Sequence, residues 1–152
     1  MFCKLFKNNT SIVDAENLLL PCTSLKEYVY SSMFEGCTNL VNPPKELPDA
    51  TLTYSSTPYP YQNMFKGCTS LVKSPYIKSN LGSTVWCTGM FDGCSNLSEI
   101  KLDYTGNFSQ TYFSNWVNGV AATGTFYYNG SDTNRGVSAI PTGWTITPFT
   151  TT

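Results

Sequence analysis

Apolar positions along this chain fall into a recurring figure. Two adjacent large apolar residues are followed by a polar one, a glycine or asparagine, three small or polar places and a closing aliphatic residue. The figure occurs as Leu5-Phe6-Lys7-Asn8-Asn9-Thr10-Ser11-Ile12 and as Met33-Phe34-Glu35-Gly36-Cys37-Thr38-Asn39-Leu40. It returns as Met64-Phe65-Lys66-Gly67-Cys68-Thr69-Ser70-Leu71 and as Met90-Phe91-Asp92-Gly93-Cys94-Ser95-Asn96-Leu97. Successive phenylalanines, Phe6, Phe34, Phe65 and Phe91, stand 28, 31 and 26 residues apart. Periods of this length mark units that bury their apolar faces only against one another. The expected architecture is therefore a β-rich solenoid over residues 1–104.

Each place in the figure predicts a local structure. Phe2, Tyr30, Tyr61 and Cys87 lie three residues before the Met (Leu5 in the first copy), on the same side of a helical turn. The opening of each copy is thus expected to be a short helical or 3₁₀ turn. Asn8, Gly36, Gly67 and Gly93 fit a left-handed residue ending that turn, because a Cβ is disfavoured there. The following segment reads as extended, most clearly in Leu97-Ser98-Glu99-Ile100-Lys101-Leu102. Leu20-Pro21 and Leu47-Pro48 end two such strands, since proline cannot donate to a ladder. Leu25, Leu52 and Leu81 are further apolar anchors, and residues 53–61 read as a bulging loop.

The Met-Phe-x-Gly-Cys-Thr-x-Leu units, with their Leu-Pro and Tyr-x-x-Met-Phe spacing, resemble the BspA-type leucine-rich repeats of Bacteroides surface proteins and of phages infecting such hosts. The resemblance covers about residues 1–104, and three of the four copies match closely. It implies a curved solenoid with strands on one face and short helical turns on the other, used for adhesion or recognition. The first copy departs in lacking the Gly and Cys, and the strand leucines are eroded.

Residues 105–152 are expected to cap the solenoid. Phe113, Trp116, Val117 and Gly119 form one more amphipathic turn, and residues 122–128 and 140–147 read as strands around a loop at 129–136. Trp116, Phe126 and Trp144 supply the apolar cover a terminal unit needs. The Trp-Val-Asn-Gly, Gly-Thr-Phe and Ile-Pro-x-Gly-Trp sequences resemble the ending of related repeat proteins. Residues 148–152 read as a loose tail.

Composition changes the picture mainly by what it removes. Charged residues are only 12% of the chain, with nine basic and ten acidic side chains and no basic block, which argues against nucleic acid as a partner. There is no apolar run of membrane-spanning length. Met1-Phe2-Cys3-Lys4 lacks the apolar region of a secretory leader, so the expectation is a fragment of a longer protein or export by another route, such as a virus particle. With no histidine, Ser-His and Cys-His pairs are excluded. The cysteine spacings fit no zinc module, and reduced structural thiols are expected. Glu99 and Asp103 offer a carboxylate pair, and Asp92-Gly93 resembles part of a calcium loop. A solvated face and a turn explain them better. No cofactor and no catalytic or metal-binding residue is implied.

Binding residues are sought instead on the strand face. Two places beyond the closing aliphatic the copies carry Asp14, Asn42, Lys73 and Glu99; four places beyond they carry Glu16, Pro44, Pro75 and Lys101. Tyr54, Tyr59 and Tyr61 in the long loop, with Tyr127 and Tyr128, form a second candidate, since tyrosine offers contact area at low entropic cost. The same side chains could equally be plain solvent residues or rings packed over an edge. The expected function is a non-catalytic adhesion or recognition module, extracellular or at a cell surface, binding protein or glycan. The alternative is a virion component, a phage fibre or decoration protein packed on like subunits.

Overall fold

The computed structural model describes residues 2–22, 24–25, 27–48, 51–52, 59–78 and 86–148. Leu81 and Tyr54 lie outside them, as do residues 149–152 of the expected tail.

The Met-Phe figure is not a helix. In the second copy the N–H groups of Met33, Glu35 and Cys37 donate to the carbonyls three residues back, Tyr30, Ser32 and Phe34, at 3.0–3.3 Å. The alternate N–H groups of Tyr30, Ser32, Phe34 and Gly36 leave the copy altogether. They donate to Pro60, Gln62, Met64 and Lys66 of the third copy at 2.8–3.0 Å. A 3₁₀ helix would send every N–H to its own i−3 carbonyl. Here half of them bind the neighbouring copy, so the expected helical turn is corrected to a run of linked four-residue turns. Positive φ every fourth residue enforces the pattern: Tyr28, Ser32 and Gly36, then Asn63 and Gly67, then Gly89 and Gly93. A left-handed residue at the third place of a turn interrupts helical continuation and favours Gly or Asn. The expectation of a left-handed residue at Asn8, Gly36, Gly67 and Gly93 holds, with φ between 61° and 78°.

The row of turns also runs past Tyr104. Phe91 N–H donates to Trp116 O and Gly93 N–H to Asn118 O, both at 2.8 Å, so Trp116-Val117-Asn118-Gly119 stacks as a fifth copy. The one α-helix among the described residues, α1 (Gln110–Phe113), enters it and is capped by Ser109, whose Oγ accepts from Thr111 N–H at 3.2 Å.

Opposite the turns lies a small parallel sheet. Strands β3 (Lys73–Lys78), β4 (Glu99–Asp103), β5 (Thr125–Tyr128) and β6 (Thr145–Thr147) pair in chain order. Two come from each side of the 104/105 boundary, so the C-terminal segment continues the same sheet. A separate parallel pair joins β1 (Ser24–Leu25) to β2 (Thr51–Leu52), with Leu25 opposite Leu52. The strands expected in the first two copies reduce to isolated bridges, Glu46 with Tyr76 and, between the two copies, Asp14 with Asn42. Pro43 and Pro44 follow at once and have no N–H to continue it. At Ser74-Pro75 the third strand bulges: Lys73 faces Glu99, yet Tyr76, not Pro75, faces Lys101. Ser74 Oγ accepts the Lys101 N–H at 3.0 Å within the bulge.

Between turns and sheet the side chains stack by kind. Phe6, Phe34, Phe65 and Phe91 lie ring on ring at 5.3–5.7 Å, and Trp116 closes the column at 6.0 Å. Phe2, Tyr30 and Tyr61 make a second column at 5.7 and 6.1 Å, which ends where the fourth copy carries Cys87. The thiols of Cys37, Cys68 and Cys94 donate to the carbonyls of Phe6, Phe34 and Phe65, each one copy earlier, at 3.0–3.1 Å. Leu40, Leu71, Leu97, Ile100 and Leu102 fill the space under the sheet. At the far end Phe108, Phe113, Trp116, Phe126 and Tyr128 interlock edge to face, and Trp116 Nε1 donates to Ala139 O at 2.7 Å. Trp144 is also buried, its Nε1 donating to Ala121 O at 2.7 Å.

Position in the column sets the cost of losing a ring. Phe65 is fully buried with a phenylalanine on either side, so Phe65→Ala should cost about 3–5 kcal/mol. Phe6 is half-exposed and has one ring neighbour, so Phe6→Ala should cost clearly less in the same urea titration.

Candidate binding surface

The expected strand-face residues come together. A shallow depression of about 150 Å³ is bordered by Glu16 of the first copy, Pro44 of the second, Lys73 and Tyr76 of the third, and Glu99 and Lys101 of the fourth. Asp14 and Asn42 lie at one end of the same row, Asn42 Nδ2 donating to Asp14 Oδ2 at 2.9 Å. The Glu16 N–H and the Asn42 amide together hold the Asp14 carboxyl below its ordinary range. Lys101 Nζ sits 3.4 Å from Glu99 and 5.4 Å over the Tyr127 ring. Pro44 and Pro75 are buried and offer little to a ligand.

Sequence spacing missed Tyr76 because the bulge displaces it by one residue. Tyr76, Lys101 and Tyr127 form a row across β3, β4 and β5. Tyr76 donates its hydroxyl to Asp103 Oδ2 at 3.0 Å, and Lys78 Nζ lies 5.7 Å over its ring and 2.8 Å from Glu46. Of the aromatic-loop candidate, the two described rings, Tyr59 and Tyr61, are both packed. Tyr61 is a core ring, fully buried in the second column, with its hydroxyl on Pro48 O at 3.2 Å. It aligns with Tyr30 and Phe2, and that equivalence was the signal against a surface role. Tyr59 is half-buried, stacked on Tyr28 at 5.8 Å and edge-on to Trp86 at 4.9 Å. Tyr128 is likewise buried, while Tyr127 keeps part of its ring exposed.

On the turn face the third place of the figure carries charges that alternate: Lys7, Glu35, Lys66, Asp92, then Asn118. Lys7 pairs with Glu35 at 3.0 Å and Lys66 with Asp92 at 2.9 Å, and Asn118 Nδ2 donates to Asp92 Oδ1 at 2.8 Å. Partial burial pushes both carboxyls up, but hydrogen bonds from Ser32 and Lys7 to Glu35, and from Lys66 and Asn118 to Asp92, outweigh it. Both pKa values end below their ordinary range. The row is built to hold copies in register.

The six cysteines are free, and four are buried. Burial pushes the Cys37, Cys68 and Cys87 thiols up and carries Cys94 to about 12, which makes these sulfurs poor nucleophiles. No group of His, Cys, Asp and Glu able to hold a metal ion occurs among the described residues. Nor, among them, is any helix long and apolar enough to cross a membrane. Comparison with protein-family models, curated proteins and solved structures finds no match for the chain.

The charged row gives a pH dependence of defined sign. Carboxyls with depressed folded pKa values add stability above their unfolded values, and that stability is lost as pH falls through the folded ones. The melting temperature should therefore begin to drop below pH about 4.5. The double variant Glu35→Gln with Asp92→Asn should start lower at neutral pH, by about 1 kcal/mol, and fall less steeply in acid.

Proposed function

We propose that the chain is a BspA-like leucine-rich-repeat solenoid with a C-terminal β cap, and that it acts as a non-catalytic adhesion or recognition module outside the cell. Its partner is a protein or glycan, received on the strand face. The depression to which all four copies contribute carries this reading. It exposes Lys73, Lys101, Glu99 and part of Tyr76, side chains whose charges and ring edges the core does not need. Stacked units present such rows as one extended surface, and mixed Lys, Glu and Tyr side chains suit a polar partner better than an apolar one.

Two further facts support a binding role over chemistry. The chain has no histidine, and its buried thiols are poor nucleophiles. What remains exposed on the face is suited to hydrogen bonding and ring contact.

The double variant Lys73→Glu with Lys101→Glu tests the reading, since both side chains are exposed and the fold should tolerate the exchange within about 0.5 kcal/mol. Against an array of bacterial and mucin glycans and intact bacterial cells, the native chain should bind. The variant should bind at least tenfold more weakly with an unchanged melting temperature. Equal binding by both would remove the strand face from the account, and no binding by the native chain would remove the recognition role.

A further inference from the structure

The hydrogen bonds between copies have a direction. Phe2, Lys4, Phe6 and Asn8 donate to the carbonyls of Val29, Ser31, Met33 and Glu35, and no backbone amide of the second copy's turns from Tyr30 to Gly36 donates back. The same holds at every later junction: Phe34 donates to Met64, Phe65 to Met90, and Phe91 to Trp116. In its turn backbone each copy thus presents carbonyl acceptors on its leading side and amide donors on its trailing side.

The two ends of the stack are therefore chemically different. At the trailing end the C-terminal segment supplies acceptors: Val137 O takes the Val117 N–H at 3.2 Å and Ser138 Oγ takes the Asn115 N–H at 3.1 Å. At the leading end the carbonyls of Cys3, Leu5 and Lys7 hold the places that Ser31, Met33 and Glu35 hold in the next copy. Among the described residues nothing donates to them. Apolar surface lies open beside them. Phe2 and Phe6 are half-exposed where Tyr30, Phe34, Tyr61 and Phe65 are fully buried, and Leu5 is 56% exposed where its equivalent Met33 is 1% exposed. Lys7 has an acid on one side only, at the start of a row that otherwise alternates in sign.

We infer that this leading face is a heterologous docking surface for one further Met-Phe-x-Gly unit, presenting a row of alternate backbone N–H groups, a ring over Phe6 and an acidic residue against Lys7. A second copy of this chain joined face to face does not satisfy it. That arrangement sets acceptor against acceptor and Lys7 against Lys7. The inference rests on the turn rows and is independent of what the strand face binds.

The full chain tests this with residues 29–59 duplicated directly ahead of Met1, which places a second Glu35 against Lys7 in the register of the existing copies. The melting temperature should rise by several degrees in a single transition, and Phe6→Ala should lower it more in the extended chain than in the native one. Lysine at the added Glu35 position should remove part of the gain. An added unit that proteases cleave freely, with the melting temperature and the Phe6→Ala cost unchanged, would overturn the inference. So would sedimentation of the native chain as a dimer that Phe6→Asp dissociates, because a second copy would then be the occupant.

Discussion

Everything in this molecule depends on a backbone that divides its N–H groups between two tasks. Within each Met-Phe unit every second amide closes a turn on itself, and every other amide reaches the next unit. A peptide amide buried without a partner is costly, so a unit standing alone would leave four donors unmet. Stacking is therefore a condition of the unit having its conformation at all. The left-handed residue every fourth place is the local device that makes the division possible, because it turns alternate amides outward before a helix can form.

The side chains then follow from close, in-register repetition. Gly67 and Gly93 lie so near the glycine before them that a Cβ built on either would meet the preceding Cα at 3.9 and 3.7 Å. Like residues fall above like, and only some chemistries tolerate that. Aromatic rings do, because offset stacking is favourable. A thiol does, since it packs as a small hydrophobe while donating to the carbonyl one unit back. Charges do only if they alternate, as Lys7, Glu35, Lys66 and Asp92 show. The C-terminal segment ends the column with acceptors for the last donors and with edge-to-face aromatics that need no further neighbour.

The repeat period and the left-handed places at Asn8, Gly36, Gly67 and Gly93 were legible in the sequence, because a positive φ favours Gly or Asn, whereas those at Lys4, Tyr28 and Ser32 were not. The burial of Ile100 and Leu102 in β4 was legible for a similar reason, as strand alternation is local. The helical reading rested on Tyr30 and Met33, three residues apart, and both are as buried in the turn run as they would be on one side of a helix. What separates helix from turn run is whether Phe34 N–H meets a carbonyl of its own copy or that of Met64 in the next, and no local pattern encodes that. Tyr76 was hidden by a one-residue bulge whose register depends on Lys101 across the sheet. Tyr61 was misplaced for the opposite reason: its alignment with Tyr30 marked it as core, while its setting in a Pro- and Tyr-rich stretch suggested a loop. On the candidate surface, position within the repeat singled out Lys73, Glu99, Glu16 and Lys101, but only stacking brings them around one depression.

The divided amide ladder is directly measurable. Scalar coupling across hydrogen bonds, read by nitrogen–carbonyl correlation NMR on the labelled chain, reports which carbonyl each amide meets. The account predicts that the Gly67 amide couples to the Asp92 carbonyl, and the Phe65 amide to that of Met90. Coupling of Gly67 to Met64 or Asn63 would mean a 3₁₀ or α turn in place of the ladder, and would contradict it.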